Sequence, residues 1–371
     1  MKSVLIVGGG IGGMSSAIRL REKGITVDIV DSDPEWRVYG AGITITGPTL
    51  RAFHTLGILD DVLAKGSGSK GGSRIFTPSG QSIGEIDEPA LGSNIPPSGG
   101  IMRPVLHRIL SSRTLALGTK VRLGLTVDAL EENNGVDVKF SDGSAGHYDL
   151  VIGADGIFSR VRSLLFPDAP KPKFTGQGCW RIVADRPAHV DRPELYLGGD
   201  VKVGLNPCSA TQMYLFALDA PRGNPWIEPK DWPQVLKLRL AGFGGTAGLV
   251  RDAITETSSI VYRPLEAMLL PPPWHKGHVI LIGDAAHATT PHLASGAGIA
   301  VEDAVILADL LAQTGISIPA AFEAFMARRW ERCRMVVENS LRLGEMEQNH
   351  ESPADHQRLA EETVKALAQP I

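Results

Sequence analysis

Cysteine is scarce in this chain of 371 residues: Cys179, Cys208 and Cys333 are odd in number and far apart. No C-x-x-C or comparable ligand spacing occurs, so a disulfide framework, a structural metal site and a dithiol redox centre are not expected. Reduced thiols in a cytoplasmic protein are. Long apolar runs are missing too. Nowhere do about 18 apolar residues follow one another, so no membrane-spanning helix is predicted. The apolar start at Ser3–Val7 breaks into glycines too early for a signal peptide. Basic blocks are also absent. Lys and Arg number 37 against 41 Asp and Glu, a formal charge of −4, which gives no electrostatic case for nucleic acid or an anionic membrane.

What the chain has in excess is glycine, 42 residues without a repeat or linker tract to absorb them. Hydrophobic residues at 43% and charged residues at 21% describe a folded globular protein. The length allows two domains, or one large domain with an inserted layer. Ser3–Val7 reads as a strand buried on both faces, Gly8–Gly13 as a turn, the following residues as a helix from near Ile11, and Thr26–Val30 as a second strand ending at Asp31. That order is the first unit of a doubly wound sheet. Buried strands recur at 149–153 and 278–282, and a long helix is predicted from near Ala297. Between Pro170 and Pro273, short strands separated by Pro and Gly turns predict a separate, mostly antiparallel layer.

Three constellations carry chemistry. In Gly8-Gly9-Gly10-Ile11-Gly12-Gly13 the spacing G-x-G-x-x-G falls on Gly8, Gly10 and Gly13, between strand and helix. Gly8 permits the tight turn, Gly10 lets a pyrophosphate approach, and Gly13 lets the helix pack on the strand. The pyrophosphate then meets the positive end of the helix. Asp31, followed by Ser32, is placed to accept hydrogen bonds from the ribose hydroxyls of an adenosine. Asp155 follows the second buried strand, in a turn where it serves a ligand or simply caps a helix. Gly283-Asp284 follows the third, and Pro291 to Gly298 leads into the long helix. Asp284 can accept from a polyol hydroxyl, and amides around Gly296, Ala297 and Gly298 can donate to an anion. His287 and His292 read as positional. Arg103 opens a helix where its charge opposes the dipole, and reads either as a surface arginine or as one with an anionic neighbour such as a pyrophosphate or carboxylate. The arginines at 328, 329, 332 and 334 read as a solvated face paired with Glu331 and Glu338.

The order GGGIGG, then DGIFSR, then GDAAHATTPHLASGAGIAVEDA resembles the single-component FAD-dependent aromatic hydroxylases, typified by para-hydroxybenzoate and salicylate hydroxylases. The resemblance spans nearly the whole chain. Members commonly carry Gly-Gln where this chain has Ala294-Ser295. The resemblance implies an α/β fold: a Rossmann-like FAD-binding domain with a three-layer, mostly parallel sheet, an inserted, mostly antiparallel substrate sheet and a C-terminal helix. The expected boundaries are 1–75, 98–172 and 275–316 for the FAD domain, 76–97 for a crossover, 173–274 for the substrate sheet and 317–371 for the helical end. It assigns Gly8, Gly10, Gly13, Asp31 and Arg103 to the adenosine diphosphate of a non-covalent FAD, Asp284 to its ribityl and pyrophosphate region and Gly296–Gly298 to the isoalloxazine ring. Ile11, Gly12, Ser32, Gly42, Ile43, Gly283 and Pro291 are expected as further cofactor contacts, and Asp155 serves both FAD and the nicotinamide.

Only one dinucleotide fingerprint is present, so NADH or NADPH is expected to visit the same flavin, which then takes up O2 to form a C4a-hydroperoxide. The expected reaction is hydroxylation of a small phenol, hydroxybenzoate or hydroxypyridine, by a monomer or homodimer. Substrate contacts are expected from Ile45, Trp180, Arg181, Tyr196, Phe216 and His292, with Tyr214 and His54 as candidate catalytic groups. A larger polyketide substrate, or a flavin reductase or redox module without oxygenation, are the alternatives.

Overall fold

The computed structural model describes residues 3–371 except 39, 70, 89, 93 and 221–225. The strand Ser3–Val7 lies inside a six-stranded sheet whose order is 275–276, 279–281, 150–153, 3–7, 26–31 and 120–123. All neighbours pair in parallel except the first two strands. Their continuous aliphatic runs are explained by cover on both faces: Val4, Leu5, Ile6, Leu150, Val151 and Ile152 are fully buried. The helices Ile11–Glu22 and Gly296–Leu311 pack together beside this sheet, and the helix Ile318–Gln348 packs on the second of them. Val121 therefore belongs to the parallel sheet, while 127–132, 136–140 and 145–148 form a separate antiparallel meander.

A second, seven-stranded sheet has the order 260–269, 173–185, 212–219, 202–207, 194–196, 73–76 and 82–86. It is antiparallel except where Glu194–Tyr196 meets Ser73–Phe76. Alternation sorts its side chains. Trp180, Ile182, Val203, Leu205, Met213, Leu215 and Ala217 enter a core closed by the helices Trp232–Arg239 and Gly245–Ala253. Their neighbours in sequence face the other way. A small sheet of 42–46, 98–102 and 67–68 bridges the two large ones. No helix among the described residues is long and apolar enough to cross a membrane.

Candidate active site

Between the glycine turn and the outward face of the seven-stranded sheet runs a continuous cleft of about 1930 Å³. Its floor on one side is backbone. Gly10, Ile11 and Gly12 line it where the first helix starts, and Gly283, Asp284, Pro291, Gly296 and Ala297 line it beside the second. Gly8 and Gly13 shape this floor rather than line it. Gly8 adopts φ +103°, and a Cβ on Gly13 would overlap the Gly8 carbonyl oxygen. At Gly10 a Cβ would meet nothing within 4 Å, so the space beside this residue is open to a ligand.

The Asp31 carboxylate holds the turn, accepting the Gly9 N–H at 2.7 Å and the Asp33 N–H at 2.8 Å. Lone pairs remain on both oxygens for ribose hydroxyls. Trp36, which sequence reasoning missed, braces the turn from the other side by donating its indole N–H to the Gly9 carbonyl at 2.9 Å. Asp31 and the exposed Ser32 lie outside the cleft lining.

Arg103 reaches into the cleft, and among the described residues its guanidinium has no hydrogen bond or ion pair. Burial, with the nearby Arg181 cation, holds its pKa below the usual range. Asp284 is exposed to the same space, and desolvation within the cleft raises its carboxyl, against the pull of His287 and Arg103. A half-buried cation lining the same cleft as two helix starts fits a pyrophosphate-bearing cofactor such as FAD.

Ala294 lines the cleft in the left-handed conformation, φ +49°. Glycine at this position in the resembled family has a backbone reason. Ser295 donates to the Leu293 carbonyl instead, at 2.7 Å.

Several expected residues lie elsewhere. The Asp155 carboxylate accepts from the Ser159 hydroxyl (2.6 Å) and from the amides of Arg160 (2.7 Å) and Val161 (3.0 Å). It therefore starts the helix Arg160–Leu165, and Ala154 and Gly156 line the cleft in its place. Gly298 is a packing position, where a Cβ would overlap the Thr49 hydroxyl. His54 is exposed, about 100° round its helix from the buried Phe53. Ile45 points into the core with Leu50 and Phe53, while Thr44 and Thr46 face the cleft. Trp180 and Tyr196 fall on the core face of their strands by the parity of one residue. Trp180 packs on Tyr262, and Tyr196 accepts the Thr246 N–H at 3.0 Å.

The cleft face carries Arg181, Tyr214 and Phe216 as expected, together with Cys179, Asn206 and Leu218, which alternation alone would have found. Arg181 also has no hydrogen bond or ion pair among the described residues. The Tyr214 hydroxyl lies 2.6 Å from that of Thr44, and burial pushes its pKa up to about 12. It stays protonated at neutral pH, which removes it as a general base and leaves it as a hydrogen-bonding group. His292 lines the cleft with Nδ1 2.9 Å from the Thr290 hydroxyl and Nε2 3.3 Å from Glu347. Burial lowers its pKa, so it is neutral.

The arginines of the last long helix divide. Arg334 pairs with Glu331 and Glu338 at the surface. Arg329 and Arg332 do not form a solvated face: Arg329 is fully buried on Asp303 (2.7 Å) and Glu302 (2.8 Å), and Arg332 binds Glu302 (2.7 Å).

This arrangement, a glycine-lined dinucleotide floor facing a side-chain-lined sheet, matches a known family. The FAD binding domain model matches residues 1–340. The chain belongs to this family of FAD-dependent hydroxylases and monooxygenases. Aurachin C monooxygenase/isomerase of Stigmatella aurantiaca is 33% identical over 93% of this chain and 90% of its own length. The 2-heptyl-3-hydroxy-4(1H)-quinolone synthase of Pseudomonas aeruginosa strain PAO1 is 32% identical over 83% and 80%. The crystal structure of a variant of Klebsiella pneumoniae HpxO complexed with FAD has a TM-score of 0.85 at 25% identity, covering 99% of this chain and 97% of that one.

Proposed function

We propose that this flavoprotein uses NADH or NADPH and O2 to hydroxylate an aromatic or heteroaromatic ring that bears an ionisable hydroxyl. The observation that carries the reading is the single cleft joining the glycine floor to Arg181, Tyr214 and Phe216. Gly10–Gly12, Arg103, Asp284 and Gly296–Ala297 would hold FAD, which supplies hydride acceptance and oxygen activation. Phe216 offers a ring face for stacking. Arg181, a cation without a partner among the described residues, favours the ionised form of a hydroxyl placed near it. The Tyr214 hydroxyl donates a hydrogen bond and orients the ring. A bound FAD and ring would displace water from between the sheet and the FAD domain, which would limit unproductive loss of reduced oxygen. Relatives of this family include enzymes named for a quinolone product and for a hydroxybenzoate, which supports a ring of this kind.

The test is direct. The purified protein should carry or take up FAD, seen in the visible flavin bands. NAD(P)H oxidation should accelerate with a hydroxylated aromatic, and the product should be heavier by one oxygen atom. A protein that refuses FAD overturns the reading.

A further inference from the structure

The sheet register lays out one straight row across the cleft face. Arg181 pairs with Phe216, Phe216 with Gly204, Gly204 with Leu195, Leu195 with Ile75, and Ile75 with Gly84. All but Gly204 line the cleft. Gly204 has its own reason: a Cβ there would overlap the Phe216 ring, so glycine lets that ring approach the strand closely. Gly84 ends the row with nothing within 4 Å of a Cβ, leaving open space. Strands stand about 4.8 Å apart, so the four steps from Phe216 to Gly84 span roughly 19 Å. That is far longer than one or two fused rings.

The row is charged at one end and apolar along the rest. On one side Leu218 and Leu197 also face the cleft, with Lys202 paired to Leu218 in the register and its ammonium tied to Glu347 at 2.7 Å. Three of the few large hydrophobic side chains left exposed, Ile83 (56%), Leu197 (41%) and Val364 (40%), also line this cleft. Scattered exposed apolar residues need no explanation, but a group on one cleft marks a binding surface. Around it Glu85 is paired with Arg192 at 3.2 Å and Lys202 with Glu347, while Asp87 and Asp200 also line the cleft, which disfavours an acidic end group on whatever lies there.

We propose that the substrate carries an uncharged aliphatic arm on its aromatic head, and that the arm lies along Leu195, Ile75 and Ile83 toward Gly84. This rests on the head being bound at Arg181, Tyr214 and Phe216, and it narrows the substrate class from small hydroxyaromatics to amphipathic ones.

The test uses the FAD-loaded protein and two ligand series, 5-alkylsalicylates and 2-alkyl-4-quinolones, with unbranched chains from methyl to nonyl. Dissociation constants are read from the perturbed flavin absorbance, without turnover. In at least one series, affinity should rise roughly two- to fourfold per methylene over the middle of the range, as burial of each CH2 predicts. Leu195→Asn and Ile83→Asn, checked for unchanged FAD content and melting temperature, should flatten that dependence. A flat dependence in both series, no perturbation by any member, or a slope that both variants retain would overturn the arm subsite. The monooxygenase reading stands or falls separately, on FAD retention and aromatic-stimulated NAD(P)H oxidation.

Discussion

His287 Nε2 lies 2.6 Å from Asp303 Oδ2, and both side chains are fully buried. The same oxygen accepts the Gly283 N–H at 3.0 Å, while Asp303 Oδ1 accepts from Arg329 at 2.7 Å. One carboxylate on the helix Gly296–Leu311 thus fixes the turn that presents Asp284 to the cleft, and ties it to the helix Ile318–Gln348. Burial opposes the His287 imidazolium, but the Cys333 sulfur and Asp303 outweigh it and hold the pKa well above the usual value. Burial also opposes the Asp303 carboxylate, and His287 and Arg329 hold its pKa low.

His287→Gln should therefore destabilise the protein by about 1.5–3 kcal/mol near pH 6, the worth of one charge-assisted hydrogen bond, because the buried Asp303 carboxylate loses His287 but keeps Arg329. The raised imidazole pKa makes its contribution complete below about pH 6.5 and lost as pH rises through the folded-state value. The lowered carboxyl pKa makes its contribution complete above about pH 4 and lost on acidification. Urea titrations across pH should show the widest gap between wild type and variant from about pH 4 to 6.5. A gap that widens above pH 7 contradicts the pairing.

Gly13→Ala should cost more than an ordinary helix substitution, because its Cβ meets the Gly8 carbonyl, a backbone atom that cannot turn aside. Overpacking of this kind costs about 1–3 kcal/mol. The variant should also purify with little flavin. Thermal melts and the flavin-to-protein absorbance ratio check both.

Arg103→Ala removes a guanidinium that holds no structural partner among the described residues. Its melting temperature without FAD should stay at or slightly above wild type. Affinity for FAD should fall about 10- to 100-fold, since a charge-assisted hydrogen bond is worth about 1.5–3 kcal/mol. Titration of the FAD-free protein with FAD separates the two effects.

Ala294→Gly relieves a left-handed alanine. That conformation costs roughly 1–2 kcal/mol for an L-residue, and glycine gives back about 0.5–1 kcal/mol in chain entropy. The net expectation is a stabilisation of about 0.5–1 kcal/mol by denaturant unfolding.

Tyr214→Phe should leave the pH dependence of turnover between pH 6 and 9 unchanged, because a tyrosine pushed up to about 12 does not titrate there. It should raise KM several-fold through the lost orienting hydrogen bond. A pH limb that disappears in the variant would restore Tyr214 as the base.

The dinucleotide floor was legible in the sequence because it is local. Strand, glycine turn and helix lie within residues 3–22, and backbone sterics alone demand glycine at 8 and 13. Strand alternation was equally legible in 212–219, where Tyr214 and Phe216 share one face. Trp180 and Tyr196 were misplaced because alternation defines two faces without saying which is the core. The helices Trp232–Arg239 and Gly245–Ala253 decide that by covering one of them.

By itself the sequence determined the fold class, the glycine turn and the family, since each depends on contacts between near neighbours or on motif order. The glycine excess and the scarcity of cysteine both belong to that local record. Only the tertiary structure decided that Asp155 caps a helix, that Arg329 is buried on Asp303, and that Arg103 and Arg181 share one cleft with no ion-pair partner among the described residues. The reason is energetic as well as geometric. A charged side chain looks alike in sequence whether it meets water, a partner or an open cleft, and its burial and pairing are set by elements far away along the chain.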